Sequence, residues 1–430
     1  MRPGSRTSLG VLAAASLAAA LAGCGTTSPS APAPAPAVAV TRGVAAAEPA
    51  ADPRPFGAAD TAFGLDVLRA WCAEYPGQNL VFSPSTLASA LGMAYLGARG
   101  ATATAMAQVL HLPADSGTAL EARLQARSRA LSGLNGPGVT LTASNQVWAD
   151  PALTTLHGYL NSVATGYDAG LAQAPLRTDP GKAAAEINSA ISAQTRGHIK
   201  NLVTPGSLAQ IGWVLTSALY MDAKWVTPFD ASKTQPGTFT PAGAKPVTVP
   251  FLNGAGFPYA AADGWQAVSL PYQGGTLTMT ALLPPAGSGG CALPGQQALT
   301  AITAALRGGG QPGGTVLALP KVNLRVDGAV GDMGAVLKRL GMAAAFGQSA
   351  DFTGLSPQAG GIGFVQQAAT LQVGERGTVG SAAAAAGIQA SAGILAAHNV
   401  AFDRPYLLLV SAKSTGEPLF LAEVANPADS

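Results

Sequence analysis

Between Asp60 and Tyr75 the residues Phe63, Val67, Trp71 and Tyr75 recur every four positions, the spacing that lays apolar groups along one helix face. A second helix is expected from Ser83-Pro84, which suit an N-cap and first turn, to Leu96, with Gly97 and Gly100 closing it. Further helices fit Thr102 to Leu110, Ala183 to Ala193 and Val330 to Leu340. Apolar runs bounded by turn residues read as strands at 141–148, 211–220, 247–252, 267–270, 277–283, 316–324, 364–373, 406–411 and 419–424. Two of these, on either side of Gln273-Gly274-Gly275, read as a hairpin, so antiparallel sheets are expected. The class is α+β, without internal repeats and without a linker dividing residues 56–430.

The first residues follow a different pattern. Arg2 and Arg6 precede an apolar run from Leu9 to Ala22, too short to span a bilayer, which reads as an export signal over residues 1–23. The run ends Leu21-Ala22-Gly23-Cys24 and resembles the processing site of bacterial lipoproteins, where cleavage before the Cys accompanies acylation of its thiol; a plain secretory signal is the alternative. Acyl chains on Cys24 would contribute about 0.8 kcal/mol per buried CH₂. Residues 24–55 carry Ala-Pro repeats and read as a semi-extended tether, with a folded domain over 56–430. The expected location is the outer face of the cell membrane, or secreted, with lipid on Cys24 the sole membrane contact.

Composition narrows the function. Of 430 residues, 48% are hydrophobic and 11% charged, which permits a large core and excludes a disordered chain. Lys+Arg number 24 against 22 Asp+Glu; loss of Arg2 and Arg6 with the signal leaves 22 against 22, so no nucleic-acid partner is indicated. With Cys24 modified, only Cys72 and Cys291 remain, far apart in sequence and readable as core residues. No Gly-x-Ser-x-Gly, Ser-x-x-Lys or His-Glu-x-x-His pattern occurs, so no catalytic residue is nominated. His111, His157, His198 and His398 lie far apart without partners at metal-ligand spacing, and neither a metal nor a cofactor is expected. Gly287-Ser288-Gly289-Gly290 and Gly308-Gly309-Gly310 lack the Lys-Ser/Thr of a phosphate loop and read as plain loops.

From Phe56 to Pro427 the chain resembles the serpin family, through blocks in order along the whole domain. They include Asn79 to Leu91, Tyr95 to Thr102, Ile187-Asn188 with Thr195 to Ile199, Leu219 to Trp225 with Pro228-Phe229-Asp230, and Val249 to Leu252. Leu319 to Val322, Leu340-Gly341-Met342, Ala350 to Ser356, Phe402 to Pro405 and Pro418 to Leu421 with Asn426-Pro427 complete the set. The resemblance implies three sheets, eight or nine helices and an exposed reactive-centre loop between Glu375 and Phe402, in a monomer that is a protease inhibitor rather than an enzyme.

Glu375-Arg376-Gly377-Thr378-Val379-Gly380-Ser381-Ala382-Ala383-Ala384 looks like the family's loop hinge, with Thr378, Gly380, Ala382 and Ala384 facing inward on insertion. A strand entering a sheet centre is hydrogen-bonded along both edges and must move its side chains past filled space, so Pro, bulk and charge are excluded. Residues 378–397 contain neither Pro nor charge. The fifteen residues from Gly377 to Ser391 would span about 50 Å, against a domain radius of gyration of about 21 Å. The implied mechanism is that of a suicide substrate: a serine protease acylates itself on the loop and is displaced before hydrolysis.

Counting sixteen residues from Glu375 puts the attacked carbonyl on Ser391, with Ala392 after it; counting back from Phe402 gives Ile394-Leu395. Neither is basic, so trypsin-like targets are disfavoured: Ser391-Ala392 suits the small pockets of elastase-like or subtilisin-like proteases, the expected targets, whereas Ile394-Leu395 would suit a larger apolar pocket of chymotrypsin type. At the shutter under the sheet, Ser83 and Trp225 match the family, whereas Ser217 and Gln367 stand where Asn and His are usual. Ser and Gln can still hydrogen-bond, so sheet opening is expected to survive. A serpin fold that acts instead as a binding, storage or chaperone-like surface protein is the alternative that the altered shutter raises.

Overall fold

The computed structural model describes residues 38–208, 212–312, 314–326, 331–378 and 396–430. Its largest sheet has the order β1 (Val40–Thr41), β4 (Leu171–Gln173), β3 (Val139–Ala149), β5 (Trp213–Lys224), β14 (Gly377–Thr378), β13 (Val365–Gly374), β12 (Val322–Val326). The nearly continuous apolar run of β5 suits a strand covered on both faces, and its residues from Trp213 to Met221 are buried. A second sheet runs β2 (Leu80–Phe82), β17 (Pro418–Val424), β16 (Tyr406–Ala412), β10 (Leu277–Leu283), β9 (Trp265–Pro271), β8 (Tyr259–Ala262), antiparallel throughout. The third is β15 (Ala396–Ala401), β11 (Gly314–Pro320), β7 (Val247–Ala255), β6 (Gln235–Phe239).

Nine α-helices are found among the described residues: α1 (Arg54–Glu74), α2 (Pro84–Gly97), α3 (Gly100–Val109), α4 (Gly117–Ser132), α5 (His157–Tyr167), α6 (Pro180–Gln194), α7 (Pro205–Leu208), α8 (Gln296–Arg307) and α9 (Gly334–Arg339). Helix α2 packs on β3 and β5 of the first sheet and on β17 of the second, and is buried around most of its circumference. Ser83 caps it, its Oγ accepting from Thr86 N, and Pro84 follows at the first position, where a missing N–H costs nothing. A burial of Arg127, Asp60 and Glu417 joins α4 and α1 to the start of β17: Arg127 Nε donates to Glu417 at 2.7 Å and its Nη2 to Asp60 and to the Ser85 carbonyl. Burial, helped by the Glu417 charge, drives the Asp60 carboxyl well above its usual value despite Arg127.

The α+β class, the three sheets and the hairpin at Gln273-Gly274-Gly275 stand as the sequence predicts. Four expectations need correction. The run 316–324 is not one strand: the chain leaves the third sheet at Pro320 and enters the first at Val322, a change of sheet that a continuous apolar run cannot signal. The helix expected over 330–340 shortens to Gly334–Arg339. A Cβ on Gly331 would collide with the Gln367 carbonyl, so the stretch before the helix is held against β13.

Cys72 and Cys291 are not separate core residues; they form a disulfide across 219 positions, between α1 and the loop before α8. The stretch expected to be tether through Pro55 is anchored from Val40 onward, because β1 finds the open edge of β4 and Gly43 packs directly on the backbone of α5. Helices α4, α5 and α8 were not expected from the pattern; α4 exposes so much polar surface that Leu120 and Leu124, four apart, are its main apolar signal.

Candidate functional site

β5 and β13 run parallel and pair directly from Leu215–Val365 to Leu219–Ala369. Beyond that stretch they separate, and β14 lies between them, antiparallel to both: Thr378 faces Ala223 and Val373, and Gly377 faces Lys224 and Gly374. The sheet is thus forked, closed at one end and wedged apart by two residues at the other. A Cβ on Gly377 would collide with the carbonyl of Ala223, so the entry point needs glycine.

The two residues are held firmly. Thr378 is fully buried, and its hydroxyl bonds the Tyr272 hydroxyl at 2.5 Å. Tyr272 stacks on Trp225, with ring centroids 4.4 Å apart. Trp225 Nε1 donates to the Gly374 carbonyl and its backbone N–H to the Arg376 carbonyl, both at 2.9 Å, while Phe229 N–H donates to the Glu375 carbonyl at 2.8 Å. Lys321, at the crossing between β11 and β12, donates to Glu375 Oε1 at 2.9 Å, and Thr234 donates to the same oxygen at 3.0 Å. Burial tends to raise the Glu375 carboxyl, but the bond from Lys321 and the added backbone and Thr234 bonds outweigh it, so the group stays below its usual range. Beside this latch lies an open, mixed-polarity cleft of about 600 Å³, walled by Lys321, Asn323, Gln372, Glu375, Arg376 and Ser430.

Under the closed part of the fork, Ser217 Oγ donates to Thr86 Oγ1 at 2.9 Å, and Ser83 Oγ lies 3.3 Å from Ser85 Oγ. Ser217 pairs with Gln367 across the β5–β13 seam. The two differ in outcome. Ser217 joins the hydroxyl cluster, whereas the buried Gln367 amide has no hydrogen-bond partner at either its oxygen or its nitrogen among the described residues. The expectation that both can bond is therefore met by Ser217 and corrected for Gln367.

Of the hinge residues, Glu375, Gly377 and Thr378 sit at the fork as described. Val379, Gly380, Ser381, Ala382, Ala383 and Ala384, the candidate bonds Ser391-Ala392 and Ile394-Leu395, and Cys24 lie outside the described residues. The chain re-enters as β15, which pairs parallel with β11. Sequence reasoning missed Tyr272, Lys321 and Thr234; Lys321 lay inside a quoted block, but nothing local ties it to Glu375, 54 positions away. Among the described residues no group of three or more His, Cys, Asp or Glu could hold a metal ion, and no helix is long and apolar enough to cross a membrane.

Comparison with known proteins accords with this architecture. A family model described as "Serpin (serine protease inhibitor)" matches residues 58–427. An uncharacterized serpin-like protein of Thermococcus kodakarensis is 33% identical over 359 residues, covering 82% of this chain and 81% of its own. The leukocyte elastase inhibitor of Sus scrofa is 30% identical over 381 residues, covering 86% and 99%. Among solved structures, uncleaved ovalbumin superposes with a TM-score of 0.75 at 23% identity, over 86% of this chain and all of its own, which bears on the fold alone. With a family model spanning nearly all of the domain and a three-sheet fold forked at the hinge, the chain belongs to the serpin family.

Proposed function

We propose that this serpin is a suicide-substrate inhibitor of serine proteases with small or apolar specificity pockets, elastase-like or subtilisin-like, attacked at Ser391-Ala392 with Ile394-Leu395 as the alternative bond. The observation that carries the reading is the fork: Thr378 already occupies a core-facing place between β5 and β13, so insertion of the cleaved loop needs only to continue downward from it. Each further pair of residues would replace direct β5–β13 pairing with two new ladders, and the small, uncharged residues that follow Thr378 suit that burial.

In the same proposal the chain is exported, held at the outer face of the membrane by lipid on Cys24, and monomeric. The test is incubation with elastase or subtilisin, followed by denaturing electrophoresis and mass spectrometry. An SDS-stable complex with release of a peptide beginning at Ala392 is the expected result. Clean loop cleavage with no complex and no gain in melting temperature refutes inhibition. That outcome supports a binding, storage or chaperone-like role, which the unpartnered Gln367 amide at the opening seam favours as a second reading.

A further inference from the structure

Insertion at the fork must part the sheet between β5 and β13 by one strand spacing, about 4.8 Å. On one side stand β5, β3, β4 and β1; on the other, β13 and β12, which rest on β2 and so on the second sheet. One chain segment, residues 39–53, runs from the outer edge of the first group to α1, in addition to the 133–138 link from α4 to β3. Its start is sewn to the outer edge of the sheet: Val40 and Thr41 pair with Ala172 and Leu171, and the Ala39 carbonyl accepts from Gln173 N–H at 2.9 Å.

The segment then lies over α5. Gly43 sits so close to the backbone of Leu160 and Asn161 that a Cβ there would collide with it. Val44 N–H donates to Asn161 Oδ1 at 2.8 Å and Ala46 N–H to Thr165 Oγ1 at 2.9 Å. Next it is pinned to α4, where Gln125 Nε2 donates to the Ala46 carbonyl at 3.1 Å and Arg123 Nη1 to the Asp52 carbonyl at 3.0 Å. Helix α4 is itself locked to α1 and the second sheet through the buried Arg127–Asp60–Glu417 group. The segment ends by entering α1 at Arg54.

We propose that residues 39–53 form a strap that brakes opening of the large sheet, by lashing its outer edge to the α5–α4–α1 body beside the second sheet, in which Gln125 and Ser128 of α4 already bond the Thr165 and Gly166 carbonyls of α5. This rests on the loop-insertion reading above and adds a rate control to it. Four backbone groups of the strap are committed within the short run from Ala39 to Ala46, besides the two-residue β1 pairing, so little slack is available to absorb a displacement of one strand width. The same segment is the only covalent link from the folded domain back toward Cys24, so cutting or pulling it would reach the sheet directly.

The test uses the full chain and a synthetic peptide with the sequence of residues 378–390, whose uptake into the uncleaved protein is followed by native electrophoresis. Two variants free the strap differently. Gly43→Val prevents its seating on α5, and Asn161→Ala with Gln125→Ala removes two of its hydrogen bonds. Hydrogen exchange at the Val44 and Ala46 amides verifies release. Both variants should take up peptide about fivefold faster than wild type, the equivalent of about 1 kcal/mol of lost restraint. Wild-type uptake rates in both variants, with those amides deprotected, would overturn the brake while leaving loop insertion standing. A wild-type chain that accepts no peptide would overturn loop insertion and the brake with it.

Discussion

Removing the Cys72–Cys291 bridge offers a quantitative test of how the two halves of the domain are held. The bond closes a loop across 219 positions, tying α1 to the segment before α8. In the chain-entropy treatment a loop of about 220 residues restricts the unfolded chain by about 18 cal/mol/K, or about 5 kcal/mol at 25 °C, at the upper end of what native disulfides contribute. A domain of about 370 residues has an unfolding entropy of about 0.8 kcal/mol/K, so this loss should lower the melting temperature by about 6 °C. The loop has a second tie, because Cys291 N–H donates to the buried Glu423 carboxylate at 3.0 Å. The double variant Cys72→Ala with Cys291→Ala, Ala being chosen because Cys72 is buried and Ser would bring a hydroxyl into the core, is compared with wild type by calorimetry, with and without reductant. Wild type under reductant should melt near the double variant. A variant melting within 1 °C of oxidised wild type would refute the entropy reasoning. Free thiols at Cys72 and Cys291 in unreduced, denatured protein would refute the bridge itself.

Other consequences follow from the site and the core. Thr378→Arg should abolish stable protease complexes while leaving the loop cleavable, because an unpaired charge beside Tyr272 costs several kcal/mol and expels the hinge from the fork; densitometry of complex against cleaved protein reads it. Gln367→Leu should raise the melting temperature of the uncleaved protein, since it removes an amide whose lack of partners costs about 1–3 kcal/mol, and an unchanged or lowered value would show that the amide is satisfied in solution. Burial pushes the Glu423 carboxyl up to about 7 from 4.5, against a smaller opposing bond from Cys291. A raised folded-state value means that this group's contribution is fully present below pH 4.5 and is lost as pH rises through 7. Above pH 7 Glu423→Gln should therefore recover about 3 kcal/mol, measured as a flatter dependence of chemical denaturation on pH. Lys321→Ala should release Glu375 toward its ordinary titration and loosen the hinge, seen as faster hydrogen exchange at the Thr378 amide.

Local chemistry was enough for much of this protein. The four-residue recurrence in α1, the Ser83-Pro84 start of α2, the Gly-Gly turn of the β9–β10 hairpin and the Pro-free, uncharged stretch after Gly377 each depend on neighbours a few positions away, so they can be read along the chain. The family resemblance likewise rests on short blocks in order. Long-range partnership was decided in three dimensions. Whether Val316 and Leu324 share a sheet, whether two cysteines 219 positions apart meet, which lysine holds Glu375, and whether an Ala/Pro-rich leader ends as tether or as a strand on β4 all depend on which surfaces packing brings together. Apolar periodicity encodes the face that a residue presents, not the partner that covers it. For the same reason Ser217 and Gln367, equally able to bond on paper, part company in the fold, where Ser217 meets the Thr86 hydroxyl and the buried Gln367 amide meets no partner among the described residues.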